Sequence, residues 1–113
     1  MREIKAIIQP FMLEKVLHAL ATLEDLPGVT VSQVLGWGKS RAAAGEEVVH
    51  QAGHAFAKKT KLEIVVAAAL APRVVEIIAA AAHTGNPGDG KIFEYEVRGA
   101  VKIRTGEEGE AAV

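Results

Sequence analysis

Three glycines and a lysine stand together in Gly85-Asn86-Pro87-Gly88-Asp89-Gly90-Lys91, which formally spells G-x-x-x-x-G-K, the opening of a phosphate-binding P-loop. Ile92 occupies the position where a Ser or Thr would hold magnesium. The flanking pattern also runs helix, loop, strand, whereas a P-loop runs strand, loop, helix and aims a helix N-terminus at the phosphates. A P-loop is therefore excluded, but glycines still expose backbone N–H groups that can cradle an anion beside a lysine ammonium. A plain turn between helix and strand accounts for the same glycines. Lys102 and Arg104 lie two apart on what reads as a short last strand, so they are expected on one face. Two adjacent cations repel unless an anion recruits them, and with Lys91 they supply the positive charge that an ATP or ADP tail requires.

A second group of chemically capable residues lies mid-chain. His50 and His54 are four apart, with Glu46 and Glu47 just upstream. On a helical turn the two imidazoles would share a face and, with a carboxylate, would suit zinc, copper or nickel. A solvated loop carrying two incidental histidines explains the same spacing. His18 and His83 read as surface or cap residues, and Glu107, Glu108 and Glu110 as a solvated acidic tail. With no Cys, thiol catalysis and zinc thiolate sites are excluded, and no Ser-His-Asp spacing is evident.

The elements that must position these residues are legible from hydrophobic period. Ile4, Ala6 and Ile8 alternate with polar neighbours up to Pro10, a half-buried strand. Leu13, Val16, Leu17 and Leu20 form one helical stripe, which Leu26-Pro27-Gly28 terminates. Alternation returns over residues 29–38, with Val31 and Leu35 on one side and Thr30, Ser32 and Val34 on the other. Residues 39–58 lose both periods and read as one long connection, in which Ala42-Ala43-Ala44 can form a helical turn. A third strand spans residues 61–66 with Leu62, Ile64 and Val66 inward. A second helix starts at Pro72, runs through Val74, Val75, Ile78 and Ala81, and stops at Gly85. Residues 91–97 and 101–104 complete the strands.

This order predicts a single α+β domain over residues 1–113, a ferredoxin-like βαββαβ sandwich with an antiparallel sheet and helices on one face. On the open face each of four strands offers one apolar residue, Ile7, Val34, Val65 and Ile92, a patch expected to bind further copies of the chain. The 113 residues, 50% hydrophobic and only 4% aromatic, supply one core of Ala, Val, Ile and Leu and exclude disorder. A net charge of -1 argues against direct nucleic-acid binding. The apolar runs fall short of the ~20 residues that span a bilayer, so no membrane insertion is expected. The first residues lack the apolar stretch of a signal peptide, and a cytoplasmic location is expected.

Several segments together resemble the P-II nitrogen regulatory proteins. The most specific are Thr84-Gly85-Asn86-Pro87-Gly88-Asp89-Gly90-Lys91-Ile92-Phe93 and Ile103-Arg104-Thr105-Gly106-Glu107-Glu108, supported by Ala6-Ile7-Ile8-Gln9-Pro10-Phe11 and Lys61-Leu62-Glu63-Ile64-Val65-Val66. The resemblance covers nearly the whole chain outside residues 40–57. It implies a homotrimer with ATP or ADP in clefts between subunits, magnesium able to accompany ATP, and a target protein docked by the long loop. It further implies that Gly88, Asp89, Gly90 and Lys91 form the nucleotide loop and that Lys102 and Arg104 are the basic phosphate pair, with Lys102 where Arg is usual. Ile7, Thr30 and Val65 then correspond to adenine-side positions. Gly36, Gly38 and Lys39 correspond to the base of the long loop.

That loop departs from the family pattern. Ala52 stands where the family has a tyrosine that accepts a nucleotidyl group, and Val48 where it has an arginine that plugs an ammonium channel. For 2-oxoglutarate, Lys59 matches the family's lysine, but Ser40 replaces its magnesium-chelating glutamine.

The reading is thus a nucleotide-sensing regulator acting on an enzyme or transporter through residues 40–57. The alternative is a metal-responsive module that regulates a metal transporter through His50 and His54. Enzymatic activity is not expected, because no general base is recognisable near a γ-phosphate position. Lys59 alone contributes an exposed charge pair of only about 0 to 1 kcal/mol. We expect 2-oxoglutarate to bind the ATP–magnesium complex at least tenfold more weakly than it binds members with the glutamine, and Ser40→Gln to restore part of the loss. Calorimetric titration checks this, and low-micromolar binding by the unaltered chain would refute it.

Overall fold

A computed structural model describes residues 1–38 and 47–113. The elements run β1 (Arg2–Ile8), a 3-10 turn (Pro10–Met12), α1 (Leu13–Leu20), β2 (Thr30–Gly36), β3 (Val48–Gln51), β4 (His54–Val66), α2 (Ala71–Ala82) and β5 (Gly90–Glu96). Four strands form an antiparallel sheet in the order β2-β4-β1-β5, with β3 added to the far end of β4. This is the expected ferredoxin-like arrangement.

Alternation along the central strands sorts their side chains between two faces. Ile4, Ala6 and Ile8 of β1 and Leu62, Ile64 and Val66 of β4 are buried against Val16 and Leu20 of α1 and Val74, Ile78 and Ala81 of α2. Both helices cover this face and leave the other open. Pro72 lies in the first turn of α2, where its missing N–H has no intrahelical partner in any case. The helix ends at Ala82, and Gly85 follows in the left-handed region at φ 91°.

Three expectations need correction. The described part of the expected long connection is regular: β3 pairs with the first part of β4 through Val48↔Ala57 to Gln51↔His54, turned by Ala52 and Gly53 at φ 51° and 78°. The expected last strand at residues 101–104 is only an isolated bridge, Val101↔Glu108. Ile92 does not lie on the open face, because it is opposite Ala6 and packs on the core, so β5 presents Phe93 and Tyr95 instead. Smaller shifts place β2 within residues 30–36 and extend the third expected strand back to His54. The reading of Ala42-Ala43-Ala44 lies outside the described residues.

Gly90 fixes where β5 begins. It pairs with Ile8 at φ 106°, and a Cβ there would lie 1.7 Å from the Ile7 carbonyl oxygen. The obstacle is backbone and cannot swing aside. Gly90→Ala is expected to destabilise the fold by at least about 2 kcal/mol, combining left-handed strain with that overlap. Urea unfolding measures the loss, and a variant as stable as the parent would contradict it.

Candidate functional site

Register places the open-face residues in rows across the sheet. Lys91, Ile7, Lys61 and Ser32 form one row, and Phe93, Lys5, Glu63 and Thr30 the next. Tyr95, Glu3 and Val65 form the row beyond, while Lys59 and Val34 lie on the other side of the Ile7 row. Cations therefore gather at the Lys59–Lys91 end and carboxylates at the Glu3–Glu63 end. Lys61 Nζ reaches the Glu63 carboxylate at 3.5 Å, and Lys5 Nζ stacks 4.9 Å above the Tyr95 ring.

The glycine loop adjoins the cationic end. Gly88 and Gly90 both adopt positive φ, 96° and 106°, conformations that side-chain-bearing residues avoid. Lys59 crosses from β4 and donates from Nζ to the Gly88 carbonyl at 2.8 Å, tying the loop to the sheet. Lys91 is exposed beside them. The Asp89 carboxylate turns back into the loop, accepting from the Thr84 hydroxyl and from the N–H groups of Thr84 at 2.8 Å and Gly85 at 2.9 Å. These bonds, led by the Thr84 hydroxyl, hold its pKa below the ordinary 3.8, with a smaller contribution from His83. The His83 Nδ1 lies 3.8 Å from Oδ2.

Thr30 and Val65 line a hollow at the other end of the face, together with Glu3, Gly28, Glu63, Gly99 and Ala100. No Lys or Arg lines it, so it suits a neutral ring bearing hydrogen-bond donors better than it suits a phosphate. Ile7 is not part of this hollow, but lies one row from Thr30 and two from Val65, beside Lys61 and Lys91. Gly36 sits against Lys59, where a Cβ would lie 3.5 Å from its Cγ, and Gly38 has open space around it. Lys39 and Ser40 lie outside the described residues.

Lys102 and Arg104 occupy a turn where a strand was expected. The Lys102 N–H donates to the Glu107 carbonyl at 2.8 Å, the Gly106 N–H donates to the Lys102 carbonyl at 2.7 Å, and Lys102 Nζ approaches the Glu107 carboxylate at 3.8 Å. Strand alternation therefore no longer assigns them to one face. Within one chain, β5 carries the backbone about 20 Å from Lys91 before it reaches Val97, from where the segment bearing Lys102 and Arg104 departs. Lys91 and the segment bearing Lys102 and Arg104 thus stand at the two opposite ends of β5. His50 and His54 are likewise separated: they lie opposite Ala55 and Gln51 on the hairpin, which puts them on opposite faces. His54 packs edge-on against Trp37 and Phe56, at 5.3 and 6.4 Å between ring centroids.

Thr84, Lys61 and Glu63 take part in this geometry but were not among the expected site residues. The parity of β4 marks Lys61 and Glu63 as open-face residues. Nothing in the sequence alone marks Thr84 as the partner of Asp89.

The family model for "Nitrogen regulatory protein P-II" matches residues 1–107. A nitrogen regulatory protein P-II of Rhodospirillum rubrum is 42% identical over 117 residues, covering 100% of both chains. One from Rhizobium etli is 45% identical over 109 residues, covering 95% of each. The nitrogen regulatory protein P-II 1 of Escherichia coli is 41% identical over 115 residues, covering 100% of both.

Because Asp89 has a lowered pKa in the folded chain, its charge stabilises the fold above the unfolded value, and that contribution is lost as pH falls through the folded one. The Tm of Asp89→Asn is therefore expected to lie below that of the parent at neutral pH, and the gap to narrow below about pH 4. Paired thermal melts across this range check it, and a gap that widens with acid would reverse the sign.

Proposed function

The chain belongs to the P-II nitrogen regulatory protein family, and from that membership we propose that it is a cytoplasmic signal-transduction protein that senses adenine nucleotide and conveys the result to a target protein. The observation that carries this reading is the glycine loop at the cationic end of the open face, with Lys91 exposed beside it and Gly88 secured by Lys59. ATP and ADP are the ligands. Their phosphates are assigned to the amides of residues 88–91 and the Lys91 ammonium, and their base to the Thr30 and Val65 hollow. Magnesium can accompany ATP. Asp89, whose carboxylate is engaged with Thr84 and Gly85, contributes its backbone to this site.

Lys102 and Arg104 complete the site from a neighbouring copy. Within one subunit the segment bearing them leaves β5 at the end opposite Lys91, and the open face carries Ile7, Val34, Val65, Phe93 and Tyr95 for contact between copies, which supports a homotrimer. The target protein is assigned to residues 40–57, including the hairpin of β3 and β4. Among the described residues no helix is long and apolar enough to cross a membrane. The metal-responsive alternative loses its support because His50 and His54 face opposite ways, and no group of three metal-ligating side chains occurs among the described residues.

Lys91→Ala and Arg104→Ala each remove a charge-assisted contact of about 1.5 to 3 kcal/mol, so each is expected to weaken ATP and ADP binding at least tenfold in calorimetry. Co-expression of the two variants should restore a fraction of parental-affinity sites, because mixed trimers contain interfaces with both residues intact. Light scattering should report the mass of three chains. Full affinity in both single variants would misplace the site, and a mixed preparation that stays uniformly weak would place both residues in one subunit.

A further inference from the structure

Asp89 lies in the glycine loop, yet both oxygens of its carboxylate are engaged within the loop itself. Oδ2 accepts from the N–H groups of Thr84 and Gly85, and Oδ1 accepts from the Thr84 hydroxyl. The same hydroxyl oxygen accepts from the Asn86 N–H at 3.2 Å. Side chains thus occupy three successive amides, those of residues 84–86, and anion recognition falls to the segment that follows. The enclosed loop holds Gly85 and Gly88 at positive φ, with Gly90 immediately beyond, so its unconstrained backbone has many conformations of similar energy. A cross-link between residues 84 and 89 removes most of them before a ligand arrives.

We infer that Thr84 and Asp89 form a positioning clasp for the glycine loop, which sets the amides of residues 88–91 for a nucleotide's phosphates while neither side chain touches the ligand. This rests on the nucleotide reading above and adds Thr84 to it as a positioning residue. The orientation also removes an electrostatic conflict. A carboxylate facing outward beside Lys91 would repel phosphate, whereas one bonded to three donors inside the loop is turned from it.

The test combines amide hydrogen exchange, which needs no ligand, with ATP and ADP titration of the full-length chain, using Thr84→Val, Thr84→Ser and Asp89→Asn. Thr84 is exposed, and a melting curve confirms that each variant is folded. The Thr84 and Gly85 amides should be protected in the parent and lose protection in Thr84→Val and Asp89→Asn. Both of these variants should bind ATP and ADP about fivefold or more weakly, by the same factor for the two nucleotides, and Thr84→Ser should recover parental affinity within about twofold. Protection that persists in both variants would overturn the clasp. Lost protection with unchanged affinity would overturn its positioning role. A silent Thr84→Val beside an Asp89→Asn that changes ATP affinity but not ADP affinity would show that Asp89 meets the ligand directly. If Lys91→Ala also bound nucleotide at parental strength, the nucleotide reading would fall, while the exchange data would still judge the clasp.

Discussion

The antiparallel pairing of β1 with both β4 and β5 decides which side chain belongs to which face of this molecule. Ala6 lies between Leu62 and Ile92, and Ile7 between Lys61 and Lys91, so a slip of one residue on either side would exchange core for open face. Gly90 holds one end of that register, because only a residue without Cβ can stand so close to the Ile7 carbonyl. The glycines after α2 therefore serve two ends. They form the loop that supports the functional reading, and the last of them fixes the strand that displays Lys91.

The core was readable because its pattern is redundant. Ile4, Ala6 and Ile8 alternate strictly, and the stripes of α1 and α2 repeat every three or four residues, so each element is specified several times over. Ile92 misled because Ile92 and Phe93 are both apolar, and parity within β5 cannot be judged from either alone. The hairpin of β3 and β4 misled for the opposite reason. Val48-Val49-His50-Gln51 and His54-Ala55-Phe56-Ala57-Lys58-Lys59 carry no consistent hydrophobic face, because most of the hairpin lies beyond the helices and has no core to cover.

The candidate site was legible as composition and less so as geometry. Glycines, Lys91, Lys102 and Arg104 are visible in the sequence, but that the last two follow β5 from the end opposite Lys91 appears only once the extent of that strand is known. Asp89 was visible too as part of the glycine loop, but the engagement of its carboxylate was not, because sequence cannot tell a carboxylate aimed at solvent from one bonded to amides four and five residues back. Thr84 had no distinguishing local context. Its role exists only once the loop has closed.

β4 runs as one continuous strand of 13 residues from the centre of the sheet to the hairpin turn. Its core side chains are concentrated at Thr60 and beyond, whereas Lys59 holds Gly88 and residues 54–56 stay outside the core. One end of the strand is thus bound by the packing of the domain and the other answers to almost none of it. The outer end can therefore accept new side chains, and under the proposed function new partners, while the inner end keeps the fold and the grip on the glycine loop unchanged.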